Sequence, residues 1–166
     1  MTETLKTELS NLSSFELYSG QITFGPAPEK SQLAQLKAQG VTHIAAFLTE
    51  EEDATTWRQQ TLDAGIDWLW MPVHQTLSAS DIQRQHLHQY LNELSQTLKE
   101  GARIYLYCDD SMHRCALMFY ALCHACRIPS SSAYPILHSI PVLNANTLTR
   151  ESLHWAAQLG ASAPIQ

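Results

Sequence analysis

The stretch Ile104-Tyr105-Leu106-Tyr107-Cys108-Asp109-Asp110-Ser111-Met112-His113-Arg114-Cys115, continued by Ala116-Leu117-Met118-Phe119-Tyr120-Ala121-Leu122, decides how the rest of the chain is read. An apolar strand delivers a cysteine, five residues separate it from an arginine, and an apolar helix follows at once. A cysteine at a strand end, facing a helix N-terminus, sits in the positive potential of unpaired N–H groups, which favours thiolate. The short loop can turn its N–H groups inward as an anion nest, and the Arg114 guanidinium offers a planar fork to two anion oxygens. A nucleophile, a nest and an arginine converging on one point describe a phosphate site with an attacking sulfur.

Upstream, a helix–glycine–strand unit recurs three times. Ser31 is the expected cap of a helix carrying Leu33 and Leu36, ended by Gly40, with 41–48 as its strand. Glu50-Glu51-Glu52-Asp53 places negative charge at the next helix start, Gly65 ends that helix, and 66–73 is the second strand. Ser78 or Ser80 caps a long helix whose Leu87, Leu91, Leu94 and Leu98 form one stripe; Gly101 ends it and 102–107 delivers Cys108. Glycine after each helix accepts the left-handed turn that other residues resist. Ser19-Gly20 reads as the turn of a hairpin between Phe15–Tyr18 and Gln21–Phe24. Downstream, helices are expected over about 114–126, 132–139 and 149–159, the last stopping at Gly160.

Alternating helices and short apolar strands predict a single α/β domain: a central, mostly parallel twisted sheet with helices on both faces. A polar segment at 1–14 precedes a domain over 15–160. Active groups in such sheets gather beyond the carboxyl ends of the strands, so Cys108 and the loop after Val73 should converge.

The 166 residues, 45% hydrophobic and 16% charged, suffice for a substantial core, and a net charge of −6 argues against nucleic-acid or acidic-membrane partners. Met1-Thr2-Glu3-Thr4-Leu5-Lys6 is too polar for a signal peptide, and no run is apolar and long enough to span a bilayer. Cys108, Cys115, Cys123 and Cys126 fall in one short stretch, unlike a disulfide framework, so a reduced, cytoplasmic chain is expected. Cys123-His124-Ala125-Cys126 on one helix cannot close a tetrahedral metal site, and packing is the better reading; no metal and no cofactor are expected. The four tryptophans read as core or rim.

Cys-x5-Arg between a strand and a helix resembles the signature loop of the cysteine-based protein tyrosine and dual-specificity phosphatases. Gly40-Val41-Thr42-His43-Ile44-Ala45-Ala46-Phe47-Leu48-Thr49-Glu50-Glu51 is similar to the early strand and acidic turn of their compact members, and Met71-Pro72-Val73 to the end of the strand before their acid loop. The resemblance spans about 15–160 and implies a divergent member: Tyr107 stands where the family has His, Ser111 where it has Gly, and Cys115 where it has Ser or Thr.

The resemblance implies a phosphomonoesterase acting through a phosphocysteine on phosphotyrosine or a related protein or small phosphoester. Cys108 is the nucleophile and Arg114 binds phosphate and stabilises the transition state. Asp109, Asp110, Ser111, Met112 and His113 supply loop N–H groups. Cys115 replaces the hydroxyl that helps the thiolate leave, or forms a redox pair with Cys108, or is a core thiol. The general acid is open between His74, in register after Val73, and Asp81. Asp109 and Asp110 disfavour both a thiolate and a dianion. Two other readings stand beside this one: a phosphate- or protein-binding module without useful turnover, and a sulfurtransferase, whose loops are often shorter.

Overall fold

The computed structural model describes residues 14–52, 55–73, 81–108, 112–139 and 148–163, the side chains of Glu52, Asp81 and Ile82 excepted. In chain order the elements are β1 (Ser14–Leu17), β2 (Gly20–Phe24), α1 (Lys30–Ala38), β3 (His43–Ala46), a short 3-10 turn (Glu50–Glu52), α2 (Thr56–Asp63), β4 (Asp67–Trp70), α3 (Asp81–Lys99), β5 (Arg103–Tyr107), α4 (His113–Ala125), α5 (Ser130–His138) and α6 (Arg150–Ala161). Of the polar segment expected over 1–14, residues 1–13 lie outside the described residues, and Ser14 already opens β1.

The sheet runs in the order β1-β2-β5-β3-β4. Only β1 is antiparallel, paired to β2 in a hairpin; β2, β5, β3 and β4 are parallel. The expected mostly parallel sheet is therefore present. Its central strand is β5, with both edges paired, so the residue after Tyr107 is delivered at the middle of the sheet's carboxyl edge.

Side chains alternate across β5. Tyr105 and Tyr107 pack with Leu33 and Leu36 of α1, Ile44, Ala46 and the half-buried Trp57 of α2. Ile104, Leu106 and Cys108 turn to the opposite face, where α3, α4, α5 and α6 pack. Helices thus cover both faces, and burying each leucine of the α3 stripe (Leu87, Leu91, Leu94, Leu98) contributes about 1.5–3 kcal/mol. Eleven of the thirteen residues of α4 are buried, which makes it the central helix of its layer.

Gly40, Gly65 and Gly101 take φ of +97°, +80° and +89° after their helices, as the sequence predicts. Two other glycines have different work. The hairpin turn is Tyr18-Ser19, with Leu17 paired to Gly20, and Tyr18 adopts φ 55°. Gly20 is already in β2, where a Cβ would lie 2.5 Å from the Ala102 carbonyl and 2.8 Å from Leu98. Gly160 does not stop α6; it is buried inside it, and a Cβ there would overlap the carbonyl oxygen of Ala121 in α4. Both are glycine because another backbone passes too close for a side chain.

Three helix starts also differ. α1 begins at Lys30, not after a Ser31 cap: Glu29 and Gln32 close a reciprocal capping box. Glu50–Glu52 forms its own short turn, separate from α2. α5 begins at Ser130, before the expected Ser132, so Pro135 is the sixth of its nine residues. The capping residues Ser78 and Ser80 lie outside the described residues. Trp57, Trp68 and Trp155 are half-buried and Trp70 is exposed, which places the tryptophans at the rim. No described helix is long and apolar enough to cross a membrane.

Candidate active site

Cys108 is the first residue beyond β5 and is 3% exposed, on the face covered by α4. Its position follows from the strand's two-residue period: the even-numbered Ile104 and Leu106 fix which way the thiol faces. The neighbouring strands continue to hold the chain here, with Gly25 N–H donating to Leu106 O at 3.2 Å and Phe47 N–H to Tyr107 O at 3.1 Å.

The chain enters α4 through Met112, its N-cap, at φ 63° and ψ 7°. A left-handed conformation in a non-glycine residue costs about 1–2 kcal/mol. The Met112 side chain is 3% exposed in the apolar core, and that burial offsets the cost. It makes no side-chain capping bond. His113, half-buried, and Arg114 form the first turn.

Arg114 is 2% exposed and is the one charged side chain among the buried residues of this helix. Its Nη1 donates to Val73 O at 2.9 Å and to Phe47 O at 3.3 Å. Phe47 lies just beyond β3 and Val73 beyond β4, and the two are joined by Val73 N–H donating to Phe47 O at 3.0 Å. The guanidinium is thus seated on the carboxyl edge of the sheet, against two strands on one side of the Cys108 strand. Sequence reasoning missed this seat, because backbone carbonyls leave no signal in residue type. The loops expected to converge, over 109–111 and 74–80, lie outside the described residues; what is described is that Arg114 reaches Val73, the last described residue before the second of them.

Cys115, fully buried one residue later, shares the apolar cluster with Cys108 and Met112. Burial first, and the nearby Cys115 second, push the Tyr107 phenol above its ordinary range; Tyr105 moves the same way. Tyr105 Oη donates to Pro26 O at 2.7 Å, whereas Tyr107 Oη has no hydrogen-bond partner among the described residues.

Asp109, Asp110, Ser111 and His74 lie outside the described residues. Asp81 is the first residue of α3, its side chain undescribed. Of the loop, Met112 and His113 are placed, between Cys108 and Arg114. Among the described residues no group of three or more His, Cys, Asp or Glu side chains could hold a metal. Cys123 is fully buried in α4 and Cys126 is its C-cap, consistent with packing.

No family model and no curated protein matches the sequence. Solved structures do. Kinase associated phosphatase, in a form with its catalytic site cysteine replaced by serine, superposes with TM-score 0.69 at 13% identity, over 89% of this chain and 93% of that one. Tk-PTP in its active form gives 0.65 at 14%, over 86% and 92%. TpbA from P. aeruginosa in complex with pTyr gives 0.61 at 12%, over 91% of each.

The fold is that of the tyrosine and dual-specificity phosphatases.

Nearly the whole length of each phosphatase is matched, so the likeness covers sheet, central helix and flanking layers together, with little sequence in common. The chain is a divergent bearer of this phosphatase fold, and in it Cys108 and Arg114 occupy the strand-end and helix-start described above.

Proposed function

We propose that the protein is a phosphomonoester hydrolase acting through a phosphocysteine, with phosphotyrosine or related protein phosphoesters as substrates. Cys108 thiolate attacks phosphorus in line, the bond to the leaving oxygen breaks, and that oxygen takes a proton from His74 or Asp81. Water then attacks the phosphocysteine, the S–P bond breaks, and the thiolate is regenerated. Arg114 and the loop N–H groups of 109–113 bind the phosphoryl oxygens and stabilise their charge.

The observation that carries this reading is the seat of Arg114. A guanidinium 2% exposed, held by two strand-end carbonyls beside the strand that ends in Cys108, is expensive to bury and points to chemistry at that edge. The phosphatase fold supports the same reading.

A second reading, a phosphate- or protein-binding module without useful turnover, is favoured by the fully buried Cys115, where a hydroxyl would better assist the leaving thiolate, and by the paired carboxylates of Asp109 and Asp110. An aryl phosphate assay separates the two. Turnover of para-nitrophenyl phosphate, abolished in Cys108→Ser with vanadate binding retained, is the expected result. Absent turnover in the parent protein with vanadate still bound establishes the module instead.

A further inference from the structure

A cleft of about 450 Å³ opens between α4, α5 and α6, built from residues with no part in the chemistry proposed for Cys108. The half-buried Leu148, Leu153 and Ala157 give it an apolar floor. Tyr120 and Tyr134 stand as its walls, and Ser130, Arg150 and His154, all exposed, add polar groups where it meets solvent.

Two features distinguish it from a packing crevice. Both tyrosine rings are braced edge-on by a histidine from their own helix: Tyr120 by His124 at 4.8 Å between ring centres, Tyr134 by His138 at 4.6 Å. His124 is tied in turn to Ser130, Nε2 to Oγ at 3.2 Å. Each ring thus has a neighbour on its own helix that favours one orientation, Tyr120 in the buried layer and Tyr134 at the exposed rim, which lowers the ordering cost of binding. The second feature is charge. In a chain of net charge −6, the lining among the described residues holds a guanidinium, an imidazole, two phenols and a hydroxyl, and no carboxylate; Glu151, next to Arg150 in α6, is not part of it.

We infer that this cleft is a second binding site, separate from the Cys108 loop, for a small aromatic anion: a flat ring system carrying one carboxylate or phosphate. The rings of Tyr120 and Tyr134 take the faces or edges of the ligand's ring, the leucines its apolar edge, and Arg150 with Ser130 the anionic head.

The probe is 2-naphthoate, with its neutral isostere 2-naphthamide, titrated by 1H–15N NMR into the full chain carrying Cys108→Ser, so that turnover cannot intervene. The expected result is saturable binding of naphthoate with Kd about 1 mM or tighter, and shifts centred on 130–134 and 148–157. The amide should bind about tenfold more weakly, and Arg150→Gln should weaken naphthoate about tenfold while leaving the amide unchanged. Tyr134→Ala, at an exposed position, should weaken both ligands alike. Equal affinity for naphthoate and the amide, shifts confined to residues around 108–115, or no saturation at 10-fold above the expected Kd would each overturn the assignment. Because the readout is binding in a protein without the Cys108 thiol, its failure leaves the proposal for Cys108 untouched, and the reverse holds too.

Discussion

Arg114 holds the chain at Val73 through a 2.9 Å bond from Nη1 to the carbonyl oxygen, one residue before His74. The same nitrogen reaches Phe47 O at 3.3 Å. One side chain therefore ties the first turn of the central helix to the ends of two strands and to the root of the segment that carries an acid candidate. Such a contact does two jobs at once. It holds the guanidinium at the sheet edge, where the proposed chemistry would need it, and it fixes where the chain leaves β4.

Arg114→Lys is predicted to separate from the parent protein in both respects. An ammonium on a side chain one bond shorter reaches the two carbonyls less well and has no second nitrogen to present as a fork. Turnover of an aryl phosphate, measured as kcat/KM, should fall about 100- to 1000-fold, and urea denaturation should show a loss of about 1–3 kcal/mol for the buried carbonyls left under-bonded. A loss of stability with catalysis intact would mean that the arginine is a structural clamp and nothing more.

Cys115→Ser tests the residue that follows. Cys115 is fully buried on the first turn of α4, in the same cluster as Cys108. A hydroxyl donates hydrogen bonds far better than a thiol, so breakdown of the phosphocysteine should accelerate while its formation does not. Rapid-mixing kinetics should show a smaller burst and a faster steady state in the variant, at a stability cost of about 1 kcal/mol for a polar atom in the core. An unchanged steady-state rate would assign Cys115 to packing.

How much of this could be read from residues alone depends on what each residue's reason is. Gly40, Gly65 and Gly101 were legible because a positive φ after a helix leaves glycine as the favoured choice, a purely local demand. The strand that delivers Cys108 and the buried helix after it were legible for the same reason: a short continuous apolar run and an all-round apolar helix are properties of short windows. Gly20 and Gly160 were misread because their reason is a partner backbone distant in sequence, Ala102 for one and Ala121 for the other. Met112 was missed as the left-handed residue because its strain is offset by core burial, which the sequence around it does not announce. The seat of Arg114 was beyond reach, since its acceptors are backbone atoms of Phe47 and Val73 that only the assembled sheet brings together.

Tyr107 sits where the resembled family has a histidine, fully buried, its ring 6.2 Å from that of Trp68 and its hydroxyl without a hydrogen-bond partner among the described residues. Leaving a buried hydroxyl unsatisfied costs about 1–3 kcal/mol. Tyr107→Phe keeps the ring and removes the liability, so urea denaturation should find the variant as stable as the parent or more stable, by about 1 kcal/mol. A clear destabilisation would show that the hydroxyl has a partner the fold depends on, with a change in aryl phosphate turnover placing that partner at the Cys108 loop.

Stability should also fall at alkaline pH, and the sign follows from three buried acids. Burial pushes the Cys123 thiol up to about 12 from an ordinary 9.0, with Cys126 a smaller cause, and raises the Tyr105 and Tyr107 phenols above their ordinary 10.0. Below about pH 8 these groups are protonated in both folded and unfolded chains and contribute no pH dependence. Above pH 9 the unfolded chain loses the Cys123 proton while the folded chain keeps it until about 12, so ionisation favours unfolding. Each such group steepens the decline by up to about 1.4 kcal/mol per pH unit, with the tyrosines joining above about pH 10. Urea denaturation from pH 7 to 10.5 should be flat at first and then decline. Cys123→Ala should start from a lower stability, because it opens a cavity, yet decline less steeply between pH 9 and 10, by close to one proton. Cys126, also raised by burial, remains to supply part of the slope in that variant. Parallel curves for parent and variant would mean that Cys123 ionises alike in both states, and that the thiol is reached by solvent despite its place in α4.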